Sequence, residues 1–370
     1  MFPMFHKPEA WTRSIHSSRS RLNTLILSLP LVQILTSRLS DILTMGFVWS
    51  RQVVPYIPCN KPPPTIFDIQ CHPRADAVCA ELDSFFMKHW PFKSQKERSR
   101  FFTSQTNRWA CLAFPMADDD RLLDTVKVNT LLFLLDGKFA HVAEDMSLDE
   151  GKKLYKRLIP IAMGKKLPNR NDPYEWITYD VWTSMRACDK ELADQVLREA
   201  LVCITAQVDS VRFVCPDMGS LLRQRIKEGG CAFVAACVRY SSQLRVPNET
   251  LKSLETIHES YGKLGIIVND IHSFEKELRL WNKDHKEGAK LLNIVNTMSI
   301  DAGVSYGTAK RILWVLCREW EIDHQEMVAK VLHGKGGADP DLKTYLKGLE
   351  YVLGGNEYWS ETTERYHWHD

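Results

Sequence analysis

Residues 269–277 of the chain read NDIHSFEKE. Within this stretch Asn269, Ser273 and Glu277 fall at positions i, i+4 and i+8, so on a helix their side chains project from one face, about a turn apart. An amide oxygen, a hydroxyl and a carboxylate form an all-oxygen set, which suits Mg²⁺ rather than zinc or copper. An amphipathic helix with a charged end would show the same spacing, so the interpretation as a metal site depends on the rest of the chain.

The residues just before this stretch indicate where the set lies. Residues 264–268 read LGIIV and are apolar, which is typical of a buried helix. The three oxygen ligands are therefore predicted at the water-exposed end of a buried helix. Their low total charge would leave a bound Mg²⁺ free to bind phosphate oxygens as well.

Hydrophobic periodicity predicts helices along almost the whole chain from Cys71 onward. The predicted helical segments are residues 75–89, 126–146, 177–201, 221–243, 249–281, 304–332 and 341–365. Proline and glycine clusters separate them, and we find no strand alternation, no Asn-Gly hairpin turn and no internal repeat. The sequence therefore predicts an all-α protein, with one domain of antiparallel helices.

The composition narrows the class of protein. The chain has 370 residues, of which 44% are hydrophobic and 25% are charged, as in ordinary globular proteins. A net charge of +2 is too small to indicate a protein that binds nucleic acid. No apolar run in the sequence approaches the roughly 18 residues of a membrane span. The ten cysteines include no C-x-x-C pair, so we expect reduced thiols, no zinc knuckle and a cytoplasmic location.

The first 60 residues differ from the remainder. Residues 10–40 contain arginines among serines and leucines but no acidic residue, a composition that resembles an amphipathic transit peptide. A disordered tail, or a natural start at Met45, would account for the same composition. We therefore predict an N-terminal extension at residues 1–60 and a folded domain at residues 61–370, entered through the KPPP run at residues 61–64.

Carboxylates elsewhere in the chain give two further candidates. Asp136, in the run FLLDGK at residues 133–138, ends a hydrophobic helical segment. It would supply a second face of a metal site, although taken alone a plain helix-end carboxylate is the simpler interpretation. The acidic run at residues 118–124 is interpreted as a helix start, because aspartate is favoured there as N-cap and by the helix dipole.

Four residues are candidates for binding an anion. Arginine binds phosphate through two parallel hydrogen bonds, and a tyrosine hydroxyl can add one more. The candidates are Arg186, Lys276, Arg365 and Tyr366. Taken singly, each would equally be an ordinary surface residue.

Together these motifs resemble the class I terpene cyclases, and more closely the fungal sesquiterpene cyclases of the aristolochene synthase type. The likeness runs from about Pro62 to Tyr366. It is carried by CHP at residues 71–73, KHW at 88–90, LIPI at 158–161, YDVWTSMRA at 179–187, VNDIHSFEKEL at 268–278, CREWE at 317–321 and GLEYVLGGNEYWS at 348–360. The Asn/Ser/Glu motif followed near the C-terminus by Arg-Tyr is a specific combination.

The resemblance implies a single-domain class I terpene synthase bundle around a central hydrophobic cavity, with Mg²⁺ as cofactor. The residues that it assigns to the site are Asp136, Asn269, Ser273 and Glu277 as metal ligands, Arg186, Lys276, Arg365 and Tyr366 as diphosphate-binding residues, and Asp136, Phe133 and Trp359 as catalytic residues. Phe133 and Trp359 would line the carbocation pocket.

The reaction that the family implies is the Mg²⁺-dependent ionisation and cyclisation of farnesyl diphosphate, a lyase reaction of terpenoid secondary metabolism. The metal and the basic donors stabilise the departing diphosphate. Aromatic faces then stabilise the allylic cation, and closing loops exclude water. Relatives commonly pair, so a homodimer is a further expectation.

The chain departs from the family at the aspartate-rich motif. Where relatives read Asp-Asp-Leu-Leu-Glu, residues 136–140 read DGKFA, so only Asp136 remains and Lys138 is new. Ala113 stands where relatives place an active-site tyrosine.

These departures leave two alternatives. In the first, Asp136 still bridges the remaining magnesium ions, and metal binding and closure are weakened but retained. In the second, the protein no longer ionises diphosphate and instead cyclises, isomerises or steers a preformed terpenoid, or assists a partner cyclase. We adopt the first, because a retained diphosphate site makes most sense if a diphosphate still binds. A non-catalytic scaffold would have no use for so many preserved ligands.

Overall fold

The structure is a computed structural model that describes residues 62–139, 148–209, 217–284 and 291–366. Within these ranges only the backbone is described at residues 136–139, 148–151, 208–209, 283–284 and 335–336. The predicted N-terminal extension at residues 1–60 lies outside the described residues.

The described residues form helices and contain no β-strand, so the all-α prediction is confirmed. In chain order the α-helices are α1 (Ala75–His89), α2 (Gln95–Ser104), α3 (Thr106–Ala113), α4 (Asp119–Phe139), α5 (Leu148–Ala162), α6 (Pro173–Asp209), α7 (Met218–Glu228), α8 (Cys231–Ser241), α9 (Asn248–Ser253), α10 (Glu255–Asp284), α11 (Ile294–Ala302), α12 (Tyr306–His333) and α13 (Pro340–Thr362). Two short 3₁₀ helices, Lys335–Ala338 and Glu364–Tyr366, flank α13. In these ranges no helix is long and apolar enough to cross a membrane.

Side-chain caps fix where many of the helices begin. The residues whose side chains accept a backbone N–H of the following first turn are Ser94 (α2), Asp217 (α7), Asn293 (α11), Ser305 (α12) and Asp339 (α13). Each satisfies a donor that has no partner inside its helix. Helix α4 opens with exposed aspartates in its first turn, in agreement with the interpretation of the acidic run as a helix start.

Two glycines break the helix that the sequence predicts at residues 221–243. The structure has two helices there, α7 and α8, because Gly230 adopts a left-handed φ of +67°. A Cβ on Gly229 would lie 2.4 Å from Cδ1 of Ile266 in α10. The two glycines therefore turn the chain between α7 and α8. They also let the backbone at this turn approach α10 more closely than a side chain would permit.

A buried ion-pair network interrupts the helix predicted at residues 177–201. Asp189 within α6 is non-helical, with φ −153° and ψ 96°. Its Oδ1 accepts the N–H of Leu192 at 3.1 Å, and its Oδ2 accepts from Arg121 at 3.2 Å and Arg245 at 2.6 Å. Burial raises the pKa of Asp189, but these donors together outweigh it and hold the pKa below its ordinary value.

Helix α10 has the central position in the packing. It packs against α7, α8, α11, α12 and α13, and Leu264, Ile267, Ile271 and Phe274 on it are buried. Burying each such side chain contributes about 1.5–3 kcal/mol relative to leaving it in water. The helix that carries the predicted metal ligands is thus held from several sides.

Helix α13 approaches its neighbours at glycines. A Cβ on Gly355 would lie 2.6 Å from the carbonyl oxygen of Leu112 in α3, and a Cβ on Gly348 would lie 2.4 Å from Cγ1 of Val238 in α8. Real Cβ atoms do not approach other atoms so closely. These two glycines therefore set the distance of α13 from α3 and α8.

Two neutral histidines join helices through buried polar contacts. His258 Nε2 on α10 lies 2.7 Å from the Tyr345 hydroxyl on α13, which also accepts from Arg239 at 3.2 Å. His324 Nδ1 on α12 lies 3.2 Å from Oγ of Ser260. Burial lowers the pKa of each histidine to about 4, because the interior disfavours the charged imidazolium.

Replacing Gly355 by alanine is expected to destabilise the fold. The added methyl group would meet the backbone carbonyl of Leu112, which cannot move without shifting α3, so we expect the free energy of unfolding to fall by about 1–3 kcal/mol. Gly265→Ala is the matched control, because its Cβ would meet only Leu353 Cδ2 at 3.9 Å. There alanine should raise the free energy by up to about 1 kcal/mol. Equal effects in urea denaturation would contradict the close-approach argument.

Stability is expected to fall as the pH is lowered through the window set by His258 and His324. Their ordinary pKa is 6.5 and their folded pKa about 4, so between these values the unfolded chain binds more protons. Each histidine should contribute a loss that approaches about 1.4 kcal/mol per pH unit, whereas Asp270, whose pKa is raised to about 6, contributes with the opposite sign below that pH. Urea unfolding from about pH 8 to pH 4.5 measures the slope. His324→Gln should reduce it, and exposed His333→Gln on the same helix should leave it unchanged.

Candidate active site

The three predicted α10 ligands lie on one face of the helix, as their spacing predicted. Ser273, the middle one, is 4% exposed, and its hydroxyl has no hydrogen-bond partner among the described residues. A buried hydroxyl without a partner costs on the order of 1–3 kcal/mol and is rare in native proteins. A divalent cation shared with Asn269 and Glu277 would remove this cost, so the residues present fit a hard metal ion.

A hydrogen bond that Asn269 donates to the C-terminal 3₁₀ helix orients its side chain. Its Nδ2 donates to the Tyr366 hydroxyl at 3.0 Å. Because the nitrogen is used in this way, the Oδ1 atom of the same amide is directed elsewhere and can serve as a metal ligand. Tyr366 is buried, and burial raises its pKa to about 12, so the hydroxyl is neutral at physiological pH.

The other end of the triad is held from α11. Glu277 Oε2 accepts a hydrogen bond from Asn293 Nδ2 at 3.0 Å. Both outer ligands, Asn269 and Glu277, are therefore oriented by side chains that lie outside α10. Nothing in the spacing of the motif predicted Asn293, which caps another helix.

A buried charge pair lies directly beside the ligands. Asp270 is fully buried; its Oδ1 accepts from Arg225 of α7 at 2.6 Å, and its Oδ2 accepts the N–H of Ile294 at 2.8 Å. Burial raises the pKa of Asp270 to about 6, although Arg225 opposes this effect. Burial disfavours the cationic form of Arg225, but Asp270 and Glu277 outweigh it and raise the pKa of the guanidinium. Besides Asp270, the guanidinium pairs with Glu228 at 3.3 Å.

Aromatic side chains form a cluster next to the triad, which we call the aromatic cluster: Trp109, Phe133, Trp359 and Tyr366. The Phe133 ring centroid lies 5.2 Å from that of Trp109 and 6.1 Å from that of Trp359, and Trp359 lies 5.8 Å from Tyr366. The guanidinium carbon of Arg365 lies 5.5 Å from the Phe133 centroid. The structure therefore brings together Phe133, Trp359, Arg365 and Tyr366, whose roles at the site stay a prediction.

Trp109 was missed by sequence reasoning. Its indole N–H donates to Asn356 Oδ1 at 3.1 Å, and its ring packs edge-on against Phe133. Trp359 is fixed similarly, since its N–H donates to the carbonyls of Ser104 and Gln105, each at 3.1 Å. Among eleven tryptophans, the only available signal for Trp109 was its place two residues before Cys111, in the stretch that ends at Ala113.

The imidazole of His272 lies between the α10 triad and the aromatic cluster. His272, one residue before Ser273, stacks on the Tyr366 ring with centroids 6.3 Å apart and planes 26° apart. The centroids of the His272 and Trp314 rings lie 5.7 Å apart, with the ring planes at 76°, and Trp314 belongs to α12. The oxygen ligands and the aromatic rings thus belong to one continuous region.

Arg186 is held by other groups in this structure. Its Nε donates to Asp194 Oδ1 at 2.8 Å, and a terminal nitrogen donates to the carbonyl of Ala162 at 2.6 Å. Lys190 pairs with the same carboxylate at 2.7 Å. The contacts described for Arg186 therefore tie α6 to the end of α5 and do not include the triad.

Of the remaining predicted site residues, Asp136 is described by its backbone only and Lys276 is half-buried. Asp136 lies in the last turn of α4, three residues after Phe133; its side chain is outside the described residues, so its role as a metal ligand stays a prediction. Lys276 immediately precedes Glu277 on α10.

Carboxylates alone do not make a metal centre in the described ranges, which hold no group of three or more His, Cys, Asp or Glu side chains arranged for a metal ion. Glu277 is the only acid of the α10 triad. A small apolar cavity of about 30 Å³ lies between α4, α5 and α6, and no triad residue lines it. The triad, with its unpaired hydroxyl, is therefore the best-supported metal site of the described residues.

Comparisons with known proteins agree on one family. A family model described as "Terpene synthase family 2, C-terminal metal binding" matches residues 127–323. The chain is 40% identical over 306 residues to the aristolochene synthase of Aspergillus terreus. This alignment covers 83% of this chain and 94% of that protein. It is 40% identical over 305 residues to the aristolochene synthase of Penicillium roqueforti, with 82% and 88% covered.

Solved structures give the same result. The crystal structure of aristolochene synthase from Penicillium roqueforti superposes with a TM-score of 0.73 at 37% identity, covering 82% of this chain and all of the other. An α-eudesmol synthase superposes with a TM-score of 0.67 at 15% identity, a likeness that concerns the fold alone.

Breaking the buried charge pair is expected to be costly. Asp270→Asn would remove the shorter of the two ion pairs of Arg225 and leave it only Glu228, at 3.3 Å, which should lower the free energy of unfolding by about 3 kcal/mol near pH 8. Glu275→Gln on the same helix is the control, because Glu275 is exposed where it pairs with Lys310, and such pairs contribute less than about 1 kcal/mol. Urea denaturation compares the two, and a loss below 1 kcal/mol in Asp270→Asn would contradict the structural role.

Proposed function

The chain belongs to the terpene synthase family, among the fungal sesquiterpene cyclases of the aristolochene synthase type, and from this membership we propose that it ionises and cyclises farnesyl diphosphate with Mg²⁺. The observation that carries the proposal is the unpaired buried hydroxyl of Ser273, between Asn269 and Glu277 on α10. These three residues lie inside the range that the metal-binding family model matches.

The proposed ligands of one Mg²⁺ are Oδ1 of Asn269, Oγ of Ser273 and the carboxylate of Glu277, with Asp136 as a ligand of further ions. Bound Mg²⁺ would supply Lewis-acid stabilisation of the negative charge that develops on the departing diphosphate. Because only Glu277 of the α10 triad is charged, the triad does not neutralise a divalent cation. The remaining positive charge is then available to phosphate oxygens.

Arginine and tyrosine side chains next to the triad would bind the diphosphate. Arg365 lies over Phe133 and precedes Tyr366, which contacts Asn269. Its guanidinium lies at the aromatic cluster, and its fork of donors matches two phosphate oxygens. Lys276 is assigned to the same anion.

Arg186 would join this set only by exchanging partners. It now pairs with Asp194 and donates to Ala162, so contact with diphosphate requires that it share or leave the carboxylate. Lys190, which already pairs with Asp194, would keep that carboxylate compensated.

The aromatic cluster would stabilise the carbocation. Phe133 and Trp359 present ring faces, which attract positive charge and offer no lone pair that would quench it. The indole N–H of Trp359 is fully occupied by two carbonyls, so the ring cannot rotate to present it. Ala113, buried on α3, replaces aromatic bulk by a methyl group and would enlarge the cavity.

The alternative function, in which the protein acts on a preformed terpenoid without ionising a diphosphate, is not favoured. Such a protein would need an apolar cavity, but it would need neither a metal-ligand triad nor diphosphate-binding residues. The triad is kept here together with the side chains that orient it, Tyr366 on Asn269 and Asn293 on Glu277.

The test is incubation of the protein with farnesyl diphosphate and Mg²⁺, followed by gas chromatography–mass spectrometry of the extract. We expect a cyclic sesquiterpene whose formation stops when the metal is chelated and resumes when Mg²⁺ is restored. Asn269→Ala and Asp136→Ala should each lower kcat/KM by roughly 100-fold or more, because the metal supplies several kcal/mol of transition-state stabilisation.

Glu275→Gln is the matched control for these variants, since it changes an exposed carboxylate of α10 outside the triad. Its activity should stay within about twofold of the natural protein. Folded protein that forms no product would refute the proposal. Full activity of Asn269→Ala would refute the assignment of the metal site.

A further inference from the structure

Asn293 uses its whole side-chain amide at the site. It is fully buried at the start of α11. Its Nδ2 donates to Oε2 of Glu277 and to the carbonyl of Asp270, both at 3.0 Å, and its Oδ1 accepts the N–H of Val295 at 2.9 Å. Both donors and the acceptor are therefore satisfied.

The orientation of this amide is determined by its partners. If it were flipped, Oδ1 would face the carboxylate of Glu277 and the carbonyl of Asp270, and the NH₂ group would face the N–H of Val295. All three contacts would then be repulsive. The N–H of Asn293 must therefore point at Glu277.

The position of Asn293 is fixed independently of Glu277. The next N–H of the chain, that of Ile294, donates to Asp270 Oδ2 at 2.8 Å, and Arg225 holds the other oxygen of the same carboxylate at 2.6 Å. The start of α11 is thus bound to the interior of α10. Asn293 presents its donor from an anchored backbone rather than from a flexible loop.

We propose that Asn293 is a positioning residue, which holds the Glu277 carboxylate in the orientation that a divalent cation shared with Asn269 and Ser273 requires. The inference rests on the metal site of the proposed function. Fixing Oε2 fixes the plane of the carboxylate and leaves its other oxygen for the cation. Partners of this kind commonly decide metal affinity, because they set the direction of a ligand before the metal arrives.

The variant that tests this is Asn293→Ser. Serine caps a helix about as well as asparagine and can still accept the N–H of Val295, but it is too short to reach Glu277. Asn296→Ser is the matched control, because it removes a hydrogen bond from the same helix to the Leu291 carbonyl and leaves Glu277 untouched.

The measurement is titration with Mn²⁺ in the presence of inorganic diphosphate, followed by the electron paramagnetic resonance signal of free Mn²⁺. Asn293→Ser should weaken Mn²⁺ binding by about 10- to 100-fold, the usual range for a lost partner of a metal ligand. Asn296→Ser should leave it within about twofold. In turnover, Asn293→Ser should raise the Mg²⁺ concentration for half-maximal rate and leave the maximal rate at saturating Mg²⁺ near that of the natural protein.

A double-mutant cycle separates positioning from a purely structural role. If Asn293 acts through Glu277, then in a Glu277→Ala background, which removes the acceptor, Asn293→Ser should cause no further loss of Mn²⁺ affinity. Independent, additive losses would overturn the inference. If Asn293→Ser does not fold, Asn293→Thr is used instead. Threonine fills more of the space left by asparagine and likewise lacks the amide N–H, so the same results are expected.

The outcomes distinguish this inference from the function on which it rests. A natural protein that binds no Mn²⁺ with diphosphate would refute the metal site itself. A natural protein that binds Mn²⁺, with Asn293→Ser binding it equally well, would refute the role of Asn293 and leave the proposed function standing.

Discussion

The charge pair between Asp270 and Arg225 is the contact on which the geometry of the site depends. Asp270 follows Asn269 on α10, is fully buried, and joins Arg225 of α7 to the first N–H of α11. An unpaired charge in the interior costs several kcal/mol, so α7, α10 and α11 take the arrangement that satisfies it. That arrangement brings Asn293 to Glu277.

The same pair determines the electrostatics of the site. Around the triad the acids are Glu228, Asp270 and Glu277 and the bases are Arg225, Lys276 and Arg365, so the region is nearly balanced before any ligand binds. A divalent cation alone therefore finds little net negative charge to attract it. The proposed site gains its attraction for Mg²⁺ mainly when a diphosphate supplies further oxygen ligands and charge, which makes binding of the two mutually dependent.

The features that the sequence predicted correctly are those encoded locally. The period of apolar residues gave the helical fold, and the i, i+4, i+8 spacing gave the shared face of Asn269, Ser273 and Glu277, because both depend only on helix geometry. The features that it missed depend on contacts between distant segments. The break at Asp189 contains no proline or glycine and exists because arginines from other elements bind there. Asn293 caps a separate helix, so no motif on α10 could point to it.

The hydrogen bond from Asn269 to Tyr366 spans 97 positions of the chain, and that from Trp359 to Ser104 spans 255. Contacts of such long range close late, because the loop entropy must be overcome before they contribute. The helical body can therefore assemble while the site is still open at its C-terminal edge. Asn269 and Trp359 therefore keep their orientation only while the C-terminal residues stay docked on the helical body. The ordering of the ligand face is in this sense a property of the completed chain and not of α10 alone.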